Sequence, residues 1–353
     1  MSDSPRLPAE WEPQSAVMLT WPHGRGAWGT DITAIEADFL ALATHILRYQ
    51  PLLIACASRT DADRVGARLG QRDRIAFLIA DADDVWTRDH GPLTVLQADE
   101  TPCLLDFRFD GWGGKFPSAN DDRLVAHWHA AGAFRATPRQ AVDWVLEGGA
   151  IDSDGAGTIL TTTQCLLAPN RNGAVTAAEV ERVFREHLGA QRVLWLSAGE
   201  LEGDDTDGHI DMLARFASVD TLVYQQCDDP TDSHYAPLAH MADQLAALRT
   251  IDGQPYRLHA LPWPRPGYAE DGHRLPLSYA NFLILNDAVL VPQYYDPADA
   301  EACAVLRAAF PDREVIGTPA RTLIEQHGSI HCVTMQLPAA VPLRGLGSIV
   351  QAT

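Results

Sequence analysis

Four short segments place polar side chains inside otherwise core-like sequence, and their residue types set the chemistry available. Asp83-Asp84-Val85-Trp86-Thr87-Arg88-Asp89-His90-Gly91-Pro92 follows an apolar run ending near Ile79. It reads as a strand-to-loop junction, where functional groups are commonly displayed. Leu146-Glu147-Gly148-Gly149-Ala150 sets a carboxylate before two glycines that remove side-chain bulk around it. In Asp204-Asp205-Thr206-Asp207-Gly208-His209-Ile210-Asp211-Met212, a strand beginning at His209 would send His209 and Asp211 to one face and Ile210 and Met212 to the core. An imidazole and a carboxylate would then share one pocket wall. The fourth segment, His327-Gly328-Ser329-Ile330-His331-Cys332-Val333-Thr334, carries a thiol. Read as a strand, it turns His331 and Cys332 to opposite faces, which makes the distant His209 the better base for Cys332. Taken singly, a cysteine is most often an inert core thiol, a histidine a satisfied core or surface residue, and paired aspartates a solvated loop. The His209-x-Asp211 pair also suits a divalent metal, but no third or fourth ligand at metal-site spacing accompanies it.

Strand-like and helix-like stretches alternate along the whole chain, which predicts an α/β fold. Runs at 17–21, 52–57, 75–79, 159–162, 192–196, 221–224, 282–285, 289–292 and 330–335 carry β-branched or aromatic residues between turn signals. Helical periodicity is clearest at 31–49, 177–188, 235–248 and 297–310. A helix every ~70 residues hints at a repeated unit, and no low-complexity linker divides the chain, so residues 1–353 read as one domain. Gly24-Arg25-Gly26-Ala27-Trp28-Gly29 matches a dinucleotide fingerprint literally, which keeps a nicotinamide-dependent enzyme among the alternatives. Thr30 and Asp31, however, read as caps that start the helix after the glycines rather than at them. Asp152-Ser153-Asp154-Gly155 lacks the remaining ligands of a calcium loop and reads as a hairpin turn.

The formal charge is −20 and the sequence pI near 4.9. Such an excess of carboxylate repels phosphates, excludes a nucleic-acid grip and favours small cationic partners. There is a single lysine, Lys115, among 27 basic residues, and the arginines are scattered. No apolar run reaches the ~18 residues needed to span a bilayer, so no membrane role is expected. The stretch 1–13 holds Asp3 and Glu10 around a lone Arg6 and has no apolar core of a leader, so a cytoplasmic location is expected. The six cysteines are far apart with no CxxC pair, as in buried thiols of a reducing compartment. A homo-oligomer is left open.

Trp86-Thr-Arg-Asp89-x-Gly-Pro, Leu-Glu147-Gly-Gly, Asp-Thr-Asp-Gly-His209-Ile-Asp211 and Ile-His-Cys332, with the opening Pro8-Ala-Glu-Trp-Glu-Pro, resemble the agmatine deiminase and bacterial peptidyl-arginine deiminase family from Pro8 to about Pro338. The resemblance implies a pentein α/β-propeller of five ββαβ-type modules with pseudo-fivefold symmetry. It also implies a hydrolase of guanidines, agmatine first among them, that needs no metal or cofactor. A guanidinium is planar, permanently charged and a poor electrophile, so it must be gripped by carboxylates before attack. Asp89 and Asp211 would grip it, and Cys332 would attack its central carbon to give an amidino-cysteine. His209 would protonate the departing ammonia and then activate water, with Glu147 orienting the imidazole or the substrate. Trp86, Trp112 and Gly328 would wall the channel, core packing being the other role open to the tryptophans. Asp204 or Asp205 would receive a distal amine. The stretch before Cys332 lacks the Gly-rich run and Asn-Ile-His-Cys of plant-type agmatine deiminases and leans toward the other branch, which keeps peptidyl-arginine or another arginine derivative as the alternative substrate. A pentein lacking catalysis, acting only as a binding module, is the remaining alternative.

Overall fold

The computed structural model describes residues 4–26 and 28–352. Its first three strands, β1 (Gln14–Thr20), β2 (Leu52–Cys56) and β3 (Ile75–Ile79), are parallel neighbours with near-continuous burial. Parallel strands covered on both faces are expected to be apolar at every position, and here the two faces feed separate cores. Val17 and Leu19 face the helix Thr33–Leu47, which presents Ile35, Phe39, Leu42 and Ile46 at helical spacing. Ala16 and Met18 join Leu53, Ala55 and Leu78 in the second core.

The remaining strands repeat one plan. β4 (Leu93–Leu96), β5 (Pro102–Arg108) and β6 (Arg139–Val145) form a sheet in which β5 pairs antiparallel with β4 and parallel with β6. β7 (Ile151–Ser153), β8 (Thr158–Thr162) and β9 (Arg192–Leu196) follow the same order and senses. So do β10 (Ala214–Ser218), β11 (Thr221–Gln225) and β12 (Arg257–Leu261), and then β13 (Leu283–Ile284), β14 (Ala288–Gln293) and β15 (Glu314–Pro319). In each sheet a helix lies between the last two strands, as a parallel crossover requires. The first sheet obtains its antiparallel strand from the far end of the chain: β16 (Thr334–Pro338) pairs with β1, and β17 (Ile349–Gln351) adds in parallel beside β3.

Most of the strands and helices legible in the sequence are present with ends shifted by one to three residues. Three local expectations change. The segment 330–335 is not a strand throughout, because strand pairing begins only at Thr334 and His331-Cys332 lie in a turn. His209 does not open a strand; it precedes the single 3-10 turn Ile210–Met212, and β10 starts at Ala214. The helix after the glycines is capped at Ile32, and the Asp31 carboxylate accepts from Thr33, its N lying at 3.1 Å. Ala27 of that glycine stretch and Asp3 of the amino-terminal stretch lie outside the described residues. The turn at Asp152-Gly155 does close the β7–β8 hairpin, with Asp154 accepting from Ala156 N and Thr158 N. Among the described residues no helix is long and apolar enough to cross a membrane.

Segments far apart in sequence are tied together by a buried ionic network. The Glu10 carboxylate, four residues before β1, accepts from Arg88 Nη1 at 3.1 Å, Arg215 Nη2 at 2.6 Å and His331 Nε2 at 2.9 Å. Arg215 also reaches Asp152 at 2.9 Å. Burial pushes the Glu10 carboxyl up, but Arg215, Arg88 and His331 outweigh it and hold it well below the usual range. Removing one member of a buried network strands the others, so Glu10→Gln is expected to destabilise the fold by about 3–5 kcal/mol. Urea unfolding at neutral pH checks this, and a change below about 1 kcal/mol would show that the cations find other partners.

Candidate active site

The polar residues singled out above fall at one kind of place, the connection from the last strand of one sheet to the first strand of the next. Asp89 lies between β3 and β4, Glu147 between β6 and β7, His209 and Asp211 between β9 and β10, and Cys332 between β15 and β16. The remaining connection, β12 to β13, delivers Asn281, which the sequence reading did not single out. These connections meet in the interior. Cys332 Sγ is 3.5 Å from Asp211 Oδ2 and 3.1 Å from Asn281 Nδ2, and Asn281 Nδ2 is also 3.1 Å from Asp211 Oδ2. His209 Nδ1 is 3.7 Å from Asp89 Oδ1, and its Nε2 is 3.8 Å from Glu147 Oε2.

Close backbone approach makes this convergence possible. Arg88 N donates to Cys332 O at 3.0 Å, joining the Asp89 and Cys332 segments directly. A Cβ on Gly148 would lie 2.2 Å from Arg88 O, and one on Gly149 would lie 2.7 Å from His209 Nδ1 and 2.9 Å from Asp89 Oδ1. Gly149 N instead donates to Asp89 Oδ1 at 2.9 Å. Trp112 holds the other oxygen, donating from Nε1 to Asp89 Oδ2 at 3.0 Å. Its own backbone is left-handed at φ 60°, a conformation uncommon for a bulky residue and retained where surrounding structure enforces it.

The electrostatics follow from three buried carboxylates facing one another. Burial, with Asp211 and Glu147 nearby, lifts Asp89 to about 6 despite His209. Asp211 is held below the usual range, because His331, His209 and Arg215 overcome its burial. Glu147 is likewise lowered by His209 and Arg171, the Arg171 Nε sitting 2.7 Å from it. Burial alone would depress His209, yet Asp89, Cys165 and Glu147 raise it well above an ordinary imidazole, so it carries a proton at neutral pH. Burial and the Asp211 and Asp89 charges push the Cys332 thiol well up, so with no cation present it stays protonated. Two polar atoms, His209 Nε2 and Asp211 Oδ1, are buried without a hydrogen-bond partner.

A cavity of about 100 Å³ opens onto this cluster, lined by Asp84, Trp86, Asp89, Trp112, Phe116, Asp205, Thr206, Met212, Gln326, His327, Gly328 and Cys332. Both tryptophans are therefore buried and also form its wall, and Gly328 lets the Trp86 ring lie against the backbone, where a Cβ would come to 2.2 Å. Asp205 faces the cavity, its carboxyl raised to about 6 by burial and Asp204. Asp204 does not line it, because its carboxylate accepts from Thr206 and from Gly208 N at 2.6 Å and holds the loop. Asp84, recognised only as part of its segment, lines the cavity too. His331 is not beside Cys332 as its base; its Nδ1 contacts Asp211 Oδ2 at 2.8 Å and its Nε2 contacts Glu10, so it buttresses Asp211 from behind. Asn281 had one visible signal, a polar residue in Ser278-Tyr279-Ala280-Asn281 immediately before an apolar run. Among the described residues, the group able to hold a metal is Glu147, Cys165 and His209, and Asp211 is not part of it.

Cys332 and Asp89 thus line a tryptophan-walled cavity, with the His209 imidazolium and the Asp211 and Glu147 carboxylates buried behind them, an arrangement able to bind a small planar cation and present a thiol to it. Residues 6–338 match the family model of the Porphyromonas-type peptidyl-arginine deiminases. The agmatine deiminase of Pseudomonas putida F1 is 35% identical, the alignment covering 96% of this chain and 97% of that one. Among solved structures, an assigned arginine deiminase from Porphyromonas gingivalis is 44% identical with a TM-score of 0.89, covering 96% of this chain and all of that chain. A cysteine-to-serine C. jejuni agmatine deiminase with substrate bound is 31% identical with a TM-score of 0.88, covering 96% and 97%. The chain belongs to the Porphyromonas-type peptidyl-arginine deiminase family. It is an enzyme, a hydrolase of carbon–nitrogen bonds in linear amidines, with the mixed α/β pentein fold of its structural neighbours.

Gly149 is the point at which an added Cβ would press on His209 and Asp89 together. Gly149→Ala is expected to keep the fold, read by circular dichroism and thermal midpoint, while kcat/KM falls roughly 100-fold, since displacing a catalytic pair by about 1 Å has that effect. Activity within about threefold of the parent would mean that the site tolerates looser geometry.

Proposed function

We propose that this enzyme deiminates agmatine to N-carbamoylputrescine and ammonia. The observation that carries the substrate is the composition of the cavity wall. Three carboxylates, Asp84, Asp89 and Asp205, line it together with Trp86 and Trp112, and no arginine or lysine is among the described lining residues. Lys115 is engaged by Asp205 O at 2.6 Å and Asp207 at 2.8 Å. A guanidinium at one end and an amine at the other both find negative charge, whereas the carboxylate of free arginine meets no arginine or lysine among the described lining residues. The curated relatives named agmatine deiminase point the same way.

In this reading the guanidinium lies between Asp89 and Asp211, whose free Oδ1 accepts one of its N–H groups. The bound cation offsets the two charges that hold Cys332 protonated, and the thiolate forms as its proton passes to solvent through the cavity. Its sulfur bonds to the guanidinium carbon, and the C–N bond to the terminal nitrogen breaks as His209 protonates the departing ammonia. Water then adds to the amidino-cysteine, giving one proton to His209, and the S–C bond breaks as the remaining hydroxyl proton passes to the thiolate, releasing the ureido product and the Cys332 thiol. Glu147, held by Arg171, keeps His209 protonated and oriented. Asn281 donates to the Cys332 sulfur and favours its anionic form. Asp205, with Asp84, receives the distal amine. We read residues 1–353 as one domain, its five repeated sheets set about a pseudo-fivefold axis as a propeller, with the connections meeting at the centre.

One observation favours the alternative, an arginine derivative as substrate: the 44% identical neighbour carries an arginine deiminase assignment. Side-by-side kcat/KM for agmatine, free arginine and a C-terminal arginyl peptide separates the two. Agmatine is expected to lead by at least about tenfold, and Asp205→Asn to raise its KM more than it lowers kcat, because that contact lies away from the reacting carbon. Equal or better turnover of the peptide would overturn the substrate while leaving the chemistry in place.

A further inference from the structure

Cys165 makes and breaks no bond in the chemistry above, though it helps hold the proton on His209, and it is buried at the heart of the site. It lies in the one-turn helix Thr163–Leu166, where Thr162 Oγ1 accepts from Cys165 N at 3.3 Å and donates to Gly208 O at 2.7 Å. That pair of bonds fixes the thiol against the loop that ends in His209. The ligand atoms of Glu147, Cys165 and His209 all lie within 4.8 Å of one another. His209 is 1% exposed, and its Nε2, without a hydrogen-bond partner among the described residues, faces Glu147 Oε2 at 3.8 Å. A sulfur, an imidazole nitrogen and a carboxylate oxygen are ligands that zinc accepts together. Around a tetrahedral ion with bonds of about 2.0–2.3 Å these atoms sit roughly 3.3–3.6 Å apart, so the His209–Glu147 edge needs only a small contraction.

We propose that Glu147, Cys165 and His209 form an inhibitory site for a thiophilic divalent cation such as Zn²⁺ or Cd²⁺. Binding releases the Cys165 and His209 Nε2 protons to solvent and forms one M–S, one M–N and one M–O bond, with solvent in the fourth position and no change of redox state. The surrounding Asp89 and Asp211 charges favour the added cation. The path in is the substrate cavity, since Asp89 lines it and stands 3.7 Å from His209. The inhibitory consequence rests on the reading of His209 as the acid–base group, because a metal on Nε2 removes the proton that group must deliver. Chelators are then expected to leave turnover intact and added zinc to stop it.

The test uses metal-free full-length protein. Titration with Cd²⁺ is expected to give a thiolate-to-metal absorbance band in the parent and in Cys332→Ser, and none in Cys165→Ala. Cys165→Ala needs at least about tenfold more Zn²⁺ than the parent for half-inhibition of the ammonia release it retains. X-ray absorption of zinc-loaded Cys332→Ser should show one sulfur beside nitrogen and oxygen ligands, a readout that stands even if Cys165→Ala misfolds. A band that persists in Cys165→Ala, or disappears in Cys332→Ser, would overturn the site. Should the metal-free parent release no ammonia from agmatine, the deiminase reading fails while the cadmium band still reports on the ligands.

Discussion

Three carboxylates that cannot all be comfortable govern this protein. Asp89, Asp211 and Glu147 are buried within reach of one imidazole, and the Asp89 carboxyl is driven up to about 6 by that company. Buried charges without full compensation are costly, so this cluster favours a cation. A guanidinium would supply it with a delocalised charge and a planar fork of donors. Under the proposed mechanism the same charge governs reactivity, because the anions that repel a thiolate on Cys332 become its neighbours across a bound cation. Selectivity and activation therefore have one physical origin.

The fold sustains this unfavourable arrangement by placing compensation behind it. Arg88, Arg215 and His331 converge on Glu10, and His331 passes the constraint to Asp211 through a 2.8 Å contact. Such networks are weak evidence for net stability, but they fix geometry, since any member that moves leaves a charge unpaired. Each network residue belongs to, or lies close to, a connection that also carries a site residue. The repeated sheets thus act as rigid holders, and the connections between them deliver polar groups to a common point.

What was legible in the sequence depended on how local its signal was. Parallel strands such as 52–56 and 75–79 are continuous apolar runs and could be read directly. The short strand Ile151–Ser153, with two polar residues buried by ionic and turn contacts, could not. His209 and Asp211 were placed on one wall by assuming a strand; a 3-10 turn brings them there instead, which periodicity cannot distinguish over three residues. Asp204 and Asp205 were indistinguishable until the loop's own hydrogen bonds were seen to consume Asp204. Glu10, Asn281 and Cys165 escaped notice because their roles come from contacts across long sequence separations, which one sequence does not display.

The account's central claim is that the substrate's charge turns Cys332 into a nucleophile. Thiolate absorbance near the far ultraviolet edge, followed as a guanidinium compound that is not hydrolysed is added at neutral pH, tests it most directly, with Cys332→Ser as the blank. The account predicts almost no thiolate in the free enzyme and about one equivalent at saturation, the increment being absent from Cys332→Ser. A thiolate already present without ligand, or none formed at saturation, would contradict it.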